Sequence, residues 1–107
     1  MVKDMLFAAG IQERGSRFTK PPAGTYAVWF DHVTAEGADG CAPSIFKHDV
    51  TLELYSPKQD PQSETAIEQQ LGLRGLEWEK GARYWIQTEQ LYQTVYDFSY
   101  TEKRRIL

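Results

Sequence analysis

Two histidines, one cysteine and a scatter of carboxylates carry the widest chemical repertoire in this 107-residue chain. His32 and His48 have Asp31, Asp39 and Asp49 nearby in sequence. A metal centre needs three or four converging ligands, and the chain offers no paired ligand spacing. Both histidines fall at the ends of expected strands, where surface imidazoles are common. Cys41 follows Gly40 and precedes Ala42 and Pro43. A reactive thiolate needs a histidine partner and a field that lowers its pKa, and nothing in the sequence orients His48 towards Cys41. Glu77 and Glu79, two positions apart, share one face of a strand and could serve acid–base chemistry. Any half-buried strand shows that same alternation. Phosphate-binding, dinucleotide-binding, nucleophile-elbow and paired-cysteine motifs are all missing from the sequence. The expectation is a non-enzyme with no catalytic, cofactor or metal residues. The rival is a small metal-binding or enzymatic module built on His32, His48 and Cys41.

The aromatic residues carry more weight. Tyr92, Tyr96, Phe98 and Tyr100 form a ladder at the close of the chain. Aromatic strands can stack single-stranded bases when Lys and Arg share the surface. Here the interleaved residues are Gln93, Thr94, Asp97 and Ser99, with Gln87, Thr88, Glu89 and Gln90 before them, all neutral or acidic. Base stacking is therefore disfavoured, and packing or self-association is expected. Trp29, Tyr92 and Tyr96 are the candidate core or subunit-contact residues. Asp39 marks the loop expected to meet a neighbour.

Composition agrees. The net charge is -3, against the basic field that nucleic acid requires, and Lys103-Arg104-Arg105 reads as a short solvated tail. One cysteine allows no internal disulfide and points to a reducing compartment. No apolar run approaches the ~20 residues of a membrane span. The apolar patch at residues 5–9 is too short and too acidic in its flank for a secretory signal. A single domain and a cytoplasmic protein follow as expectations.

These side chains must be positioned by an alternation of strands and helices. Val2, Met5, Leu6 and Ala9 predict a short helix stopped by Gly10. Residues 13–24, with Pro21, Pro22 and Gly24, predict a connector. Residues 25–32 predict a strand with Tyr26, Val28 and Phe30 on one face and Ala27 and Trp29 on the other. Both faces are apolar, so that strand is expected at the sheet centre or against another subunit. Residues 34–43 predict an open hairpin loop. Residues 44–55 predict a strand burying Val50, Leu52 and Leu54. Asp60 then caps a helix with Pro61 at its first position, Glu64 in its first turn and a stripe of Ala66, Ile67 and Leu71. Residues 76–80 predict a short strand, and residues 84–100 a long strand or a strand with a break near Thr88 and Glu89. Residues 101–107 are expected to fray. The order α-β-β-α-β-β predicts an α+β fold, a mainly antiparallel sheet flanked by two helices.

Taken in order, several segments carry a resemblance. They are Gly10 and Ile11; Pro22 before Tyr26 to Phe30; the loop ending at Asp39; Val50 to Tyr55; Lys58 to Pro61; Glu64 with Glu68; Trp78 to Lys80; Trp85 and Ile86; Glu89; Leu91, Tyr92 and Gln93; and Tyr96 to Phe98. The chain resembles the tail terminators, or tail-completion proteins, of long-tailed phages and prophages. The match departs at residues 13–19 and 41–43. The resemblance implies a structural virion-assembly protein. It would form a homo-oligomeric ring, usually a hexamer, that caps the tail tube, ends polymerisation and presents the head-docking surface. The implied partners are the tail-tube protein and a head-completion protein, in the host cytoplasm and then the virion tail, with no membrane and no specific nucleic acid. Another head–tail connector or tail-assembly protein is the alternative.

Overall fold

The computed structural model describes residues 1–14, 20–36 and 45–103. Helix α1 spans Val2–Ala9, with Val2, Met5 and Leu6 buried. It ends as the sequence indicates. Gly10 adopts φ 73°, and its N–H and that of Ile11 close on the carbonyls of Phe7 and Leu6. Helix α2 spans Pro61–Leu73. Asp60 caps it by accepting from the Ser63 N–H at 3.1 Å and the Ser63 hydroxyl at 2.7 Å. The same carboxylate accepts from the Thr25 hydroxyl at 2.7 Å, which ties the preceding connector to the helix start. Burial alone would raise the Asp60 carboxyl. The bonds from Ser63 and Thr25 outweigh it and hold the group below its ordinary range.

The strands are β1 (Gln12–Glu13), β2 (Tyr26–Glu36), β3 (Ile45–Ser56), β4 (Trp78–Lys80), β5 (Tyr84–Ile86) and β6 (Leu91–Lys103). They form one mixed sheet in the order β1-β2-β3-β6-β4, with β5 also paired to β6. Among the described residues only the β1–β2 pair is parallel. The α+β class is as expected, with one difference in order. The connector contributes β1, held partly because the Gln12 side-chain amide donates to the carbonyls of Ala23 and Thr25. Of the two readings of the last run, the one with a break near Thr88 and Glu89 holds: residues 87–90 turn, with Gln90 at φ 55°, and divide it into β5 and β6.

Three strand limits also differ. β2 continues to Glu36, so residues 34–36 belong to the ladder and not to the loop, paired with Lys47, Phe46 and Ile45. β6 runs through Lys103, so residues 101–103 are paired with β3 rather than frayed. Leu76 and Glu77 precede β4 instead of joining it. Nor is β2 central. β3 holds that place between β2 and β6, while β1 covers only Tyr26 and Ala27 of β2.

The register divides the sheet into two faces. Ala27 and Trp29 stand in rows with Leu54 and Leu52, and those with Thr94 and Tyr96. This face packs beneath α1 and α2: Met5, Leu6, Ile67, Leu71, Leu52, Leu54, Tyr96 and Phe98 form one buried cluster. Beyond the rows of Val50 and Phe98 the sheet continues as a three-stranded tongue of residues 32–36, 45–49 and 99–103. Only His48 is buried there.

Candidate functional site

Tyr96 is fully buried, at the centre of the core. Its hydroxyl donates to Glu68 of α2 at 2.7 Å. Burial first, then that bond and the nearby carboxylates, raise the phenol far above its ordinary range. Trp29 is half-buried against the same core. Tyr92 is half-buried and meets Trp85 edge to face, with ring centroids 4.8 Å apart. The ladder seen in the sequence thus lies on the helix-covered face: Phe98 is buried and Tyr100 packs at the core's margin. Asp39 and Cys41 lie outside the described residues.

A charged clamp, unnoticed as a unit in the sequence, joins α2 to the β4–β5 connection. Glu64 is 4% exposed. Its two oxygens meet Lys80 Nζ at 2.8 Å and Arg83 Nε at 2.6 Å. Lys80 also reaches Glu68 at 2.8 Å. Burial would raise the Glu64 carboxyl, but the bonds and charges of Arg83 and Lys80 prevail and lower it. The bonds to Glu64 and Glu68 in turn raise Lys80. A carboxylate held ionised by two cations is a poor proton carrier and a good tie. The available signal was helical spacing, since Glu64 and Glu68 share the stripe of Ile67 and Leu71.

The histidines separate. His32 is exposed on the helix-free face, in register with Asp49. His48 is 5% exposed on the opposite face. Its Nδ1 is 2.7 Å from Asp31, its Nε2 is 3.6 Å from Glu102, and its ring lies flat on Tyr100 at 4.4 Å. A shared centre on His32 and His48 is therefore not formed. No group of three or more His, Cys, Asp or Glu poised for a metal occurs among the described residues.

Glu77 and Glu79 do meet other carboxylates. With Asp49, Asp97, Thr51 and Ser99 they line an open groove of about 750 Å³. Glu79 stands directly opposite Asp97, whose carboxylate accepts from the Thr51 hydroxyl at 2.8 Å. The groove lining contains no histidine, lysine or arginine. Such a surface repels phosphate backbones.

The helix-free face also carries Tyr26 stacked on Tyr55 at 5.3 Å. Burial is the first cause that pushes the Tyr55 phenol up to about 12. Beside them Phe30 is 47% exposed, and around the rest of the sheet Val33, Tyr84 and Trp85 are exposed as well. No helix among the described residues is long and apolar enough to cross a membrane. No protein-family model matches the chain, and no curated protein matches it.

Proposed function

We propose that the protein is a structural virion-assembly component, a tail terminator that acts at the head–tail junction. In this reading copies assemble as a ring on the end of the tail tube, stop its polymerisation and offer the surface on which the head docks. The observation that carries it is the tongue. It stands beyond the helix layer, its apolar side chain Val33 is exposed, as is Phe30 at its base, and β2 from Val28 onwards pairs on one side only among the described strands. Edge strands of that kind add to other chains. The acidic groove at Asp49, Glu77, Glu79 and Asp97 supports a part that lets DNA pass without binding it. Trp29, Tyr92 and Tyr96 then hold the sheet behind the contact.

The test is negative-stain imaging and native mass spectrometry of the purified protein mixed with polymerised tail tubes. Rings that cap one end of each tube are expected. Protein that stays monomeric and leaves every tube end bare overturns the reading. Binding to a head-completion complex instead of tubes would favour another head–tail connector.

A further inference from the structure

The two faces of the molecule carry complementary apolar features. On α1, Val2, Met5 and Leu6 face the core, and the helical period sets Phe7 near the opposite pole. On α2, Glu64, Ile67 and Leu71 are buried, and the same period turns Leu73 away from the sheet. Phe7 is 89% exposed and Leu73 79%, the highest values for large apolar side chains among the described residues. Both sit in the last turn of their helices. Gln62, Thr65 and Gln69 share the outward side of α2 with Leu73, all exposed and uncharged.

The helix-free face offers the hollow. Strand alternation puts Tyr26, Val28 and Phe30 of β2 on that face, with Tyr55 of β3 beside Tyr26. The paired Ile86 and Leu91 flank them from the β5–β6 hairpin, across β3. Together these residues line an open groove of about 450 Å³. Clefts of that size hold whole small molecules, so a benzyl side chain fits. Glu53, Glu89 and Arg14 stand in the same lining. Lys3 and Asp4 precede Phe7 by one helical turn and are exposed beside it. Each sign of charge therefore meets its opposite when the Phe7 end of α1 is seated there. The acidic groove lies further along this face, towards the tongue, and shares no lining residue with the aromatic one, so seating Phe7 does not fill it.

We infer that copies of the chain associate front to back, the Phe7 end of one helix layer seated in the aromatic groove of the next. The occupant is a second copy of this chain. Its knob fits the hollow, its charges complement those of the lining, and the uncharged outer side of α2 suits the charge-poor core of an interface. Knob and groove lie on opposite faces of one sheet, so a single contact leaves one copy with a free knob and the other with a free groove. The contact is heterologous, and its repetition closes a ring where the rotation permits. It rests on the ring reading above for what that repetition builds.

Complementation between two variants tests this. Phe7→Ser removes the knob, and Phe30→Ser strips one side of the groove. Both residues are exposed, so the circular-dichroism spectra should match wild type. In sedimentation velocity, wild type is expected to self-associate as concentration rises. Each variant alone should associate about 10- to 100-fold more weakly, the loss of one seated aromatic ring. An equal mixture should recover dimers and nothing larger, because only the Phe7 of one variant and the intact groove of the other still match. A mixture that associates no better than its components overturns the inference, as does either variant that associates like wild type. Wild type that stays monomeric into the millimolar range also overturns it, while tail tubes capped by that protein preserve the terminator reading. Self-association together with bare tube ends preserves the contact and overturns the terminator reading. Capping lost in Phe7→Ser with self-association intact assigns Phe7 to the tube protein and overturns the inference.

Discussion

The body and the tongue share three strands and differ in what covers them. In the body, Leu52, Leu54 and Tyr96 are sealed beneath α1 and α2. In the tongue, the same ladders continue, yet of its three segments only His48 is buried. Backbone pairing is therefore not what distinguishes the regions. Side-chain burial makes the body stable, and its absence leaves the tongue dependent on its own ladder and on any partner. A residue's effect on folding and its effect on assembly should separate along the same strand.

The strongest way to break that contrast is Tyr96→Ala. It empties a fully buried site and removes one of the two donors to Glu68, leaving Lys80 as the other, at an expected cost of about 3–5 kcal/mol in urea unfolding. A loss below 1 kcal/mol would show that the body is not the stabilising half. Next comes Glu64→Gln, which weakens the clamp by about 1–3 kcal/mol. Its pH dependence has a definite sign. The folded-state carboxyl of Glu64 is depressed from its ordinary 4.5, so its contribution is full above that value. The contribution falls away as pH drops through the folded-state value. Wild-type stability should decline more steeply than that of Glu64→Gln on acidification below pH 4.5, read by unfolding at a series of pH values. Parallel curves would remove Glu64 from the acid limb. Asp60→Ala is smaller, about 1 kcal/mol for a lost helix cap, and the melting temperature should fall by a few degrees. The least effect on folding belongs to Phe30→Ser at the base of the tongue, within about 0.5 kcal/mol of wild type. A large loss there would mean that the helix-free face hides a core of its own.

Much of the body was legible in the sequence because it follows period rules. The Gly10 stop, the Asp60 cap with Pro61, and the alternation of Val50, Leu52 and Leu54 each rest on a local signal. The tongue was missed for a physical reason. Thr34, Ala35 and Glu36 are exposed, so they carry no hydrophobic alternation, and pairing with Lys47, Phe46 and Ile45 keeps them in the strand. Residues 101–103 were hidden in the same way. β1 is two residues long and owes its place to Gln12 bonds that no pattern announces. At the site level, sequence proximity grouped His32 with His48. The two-residue period of strands sets them on opposite faces, and His48 lies beside Asp31 and Glu102 instead.

The central place of β3 has a consequence for biosynthesis. β2 and β3 emerge from the ribosome early and can pair as a hairpin at once. The second partner of β3 arrives much later, as in the bond between Thr51 and Asp97, 46 residues apart. Until β6 is made, β3 presents a long bare edge, and Leu52 and Leu54 have neither Tyr96 nor Phe98 to pack against. The nascent hairpin is a sticky intermediate, and chaperone demand should peak in that interval and end when β6 docks.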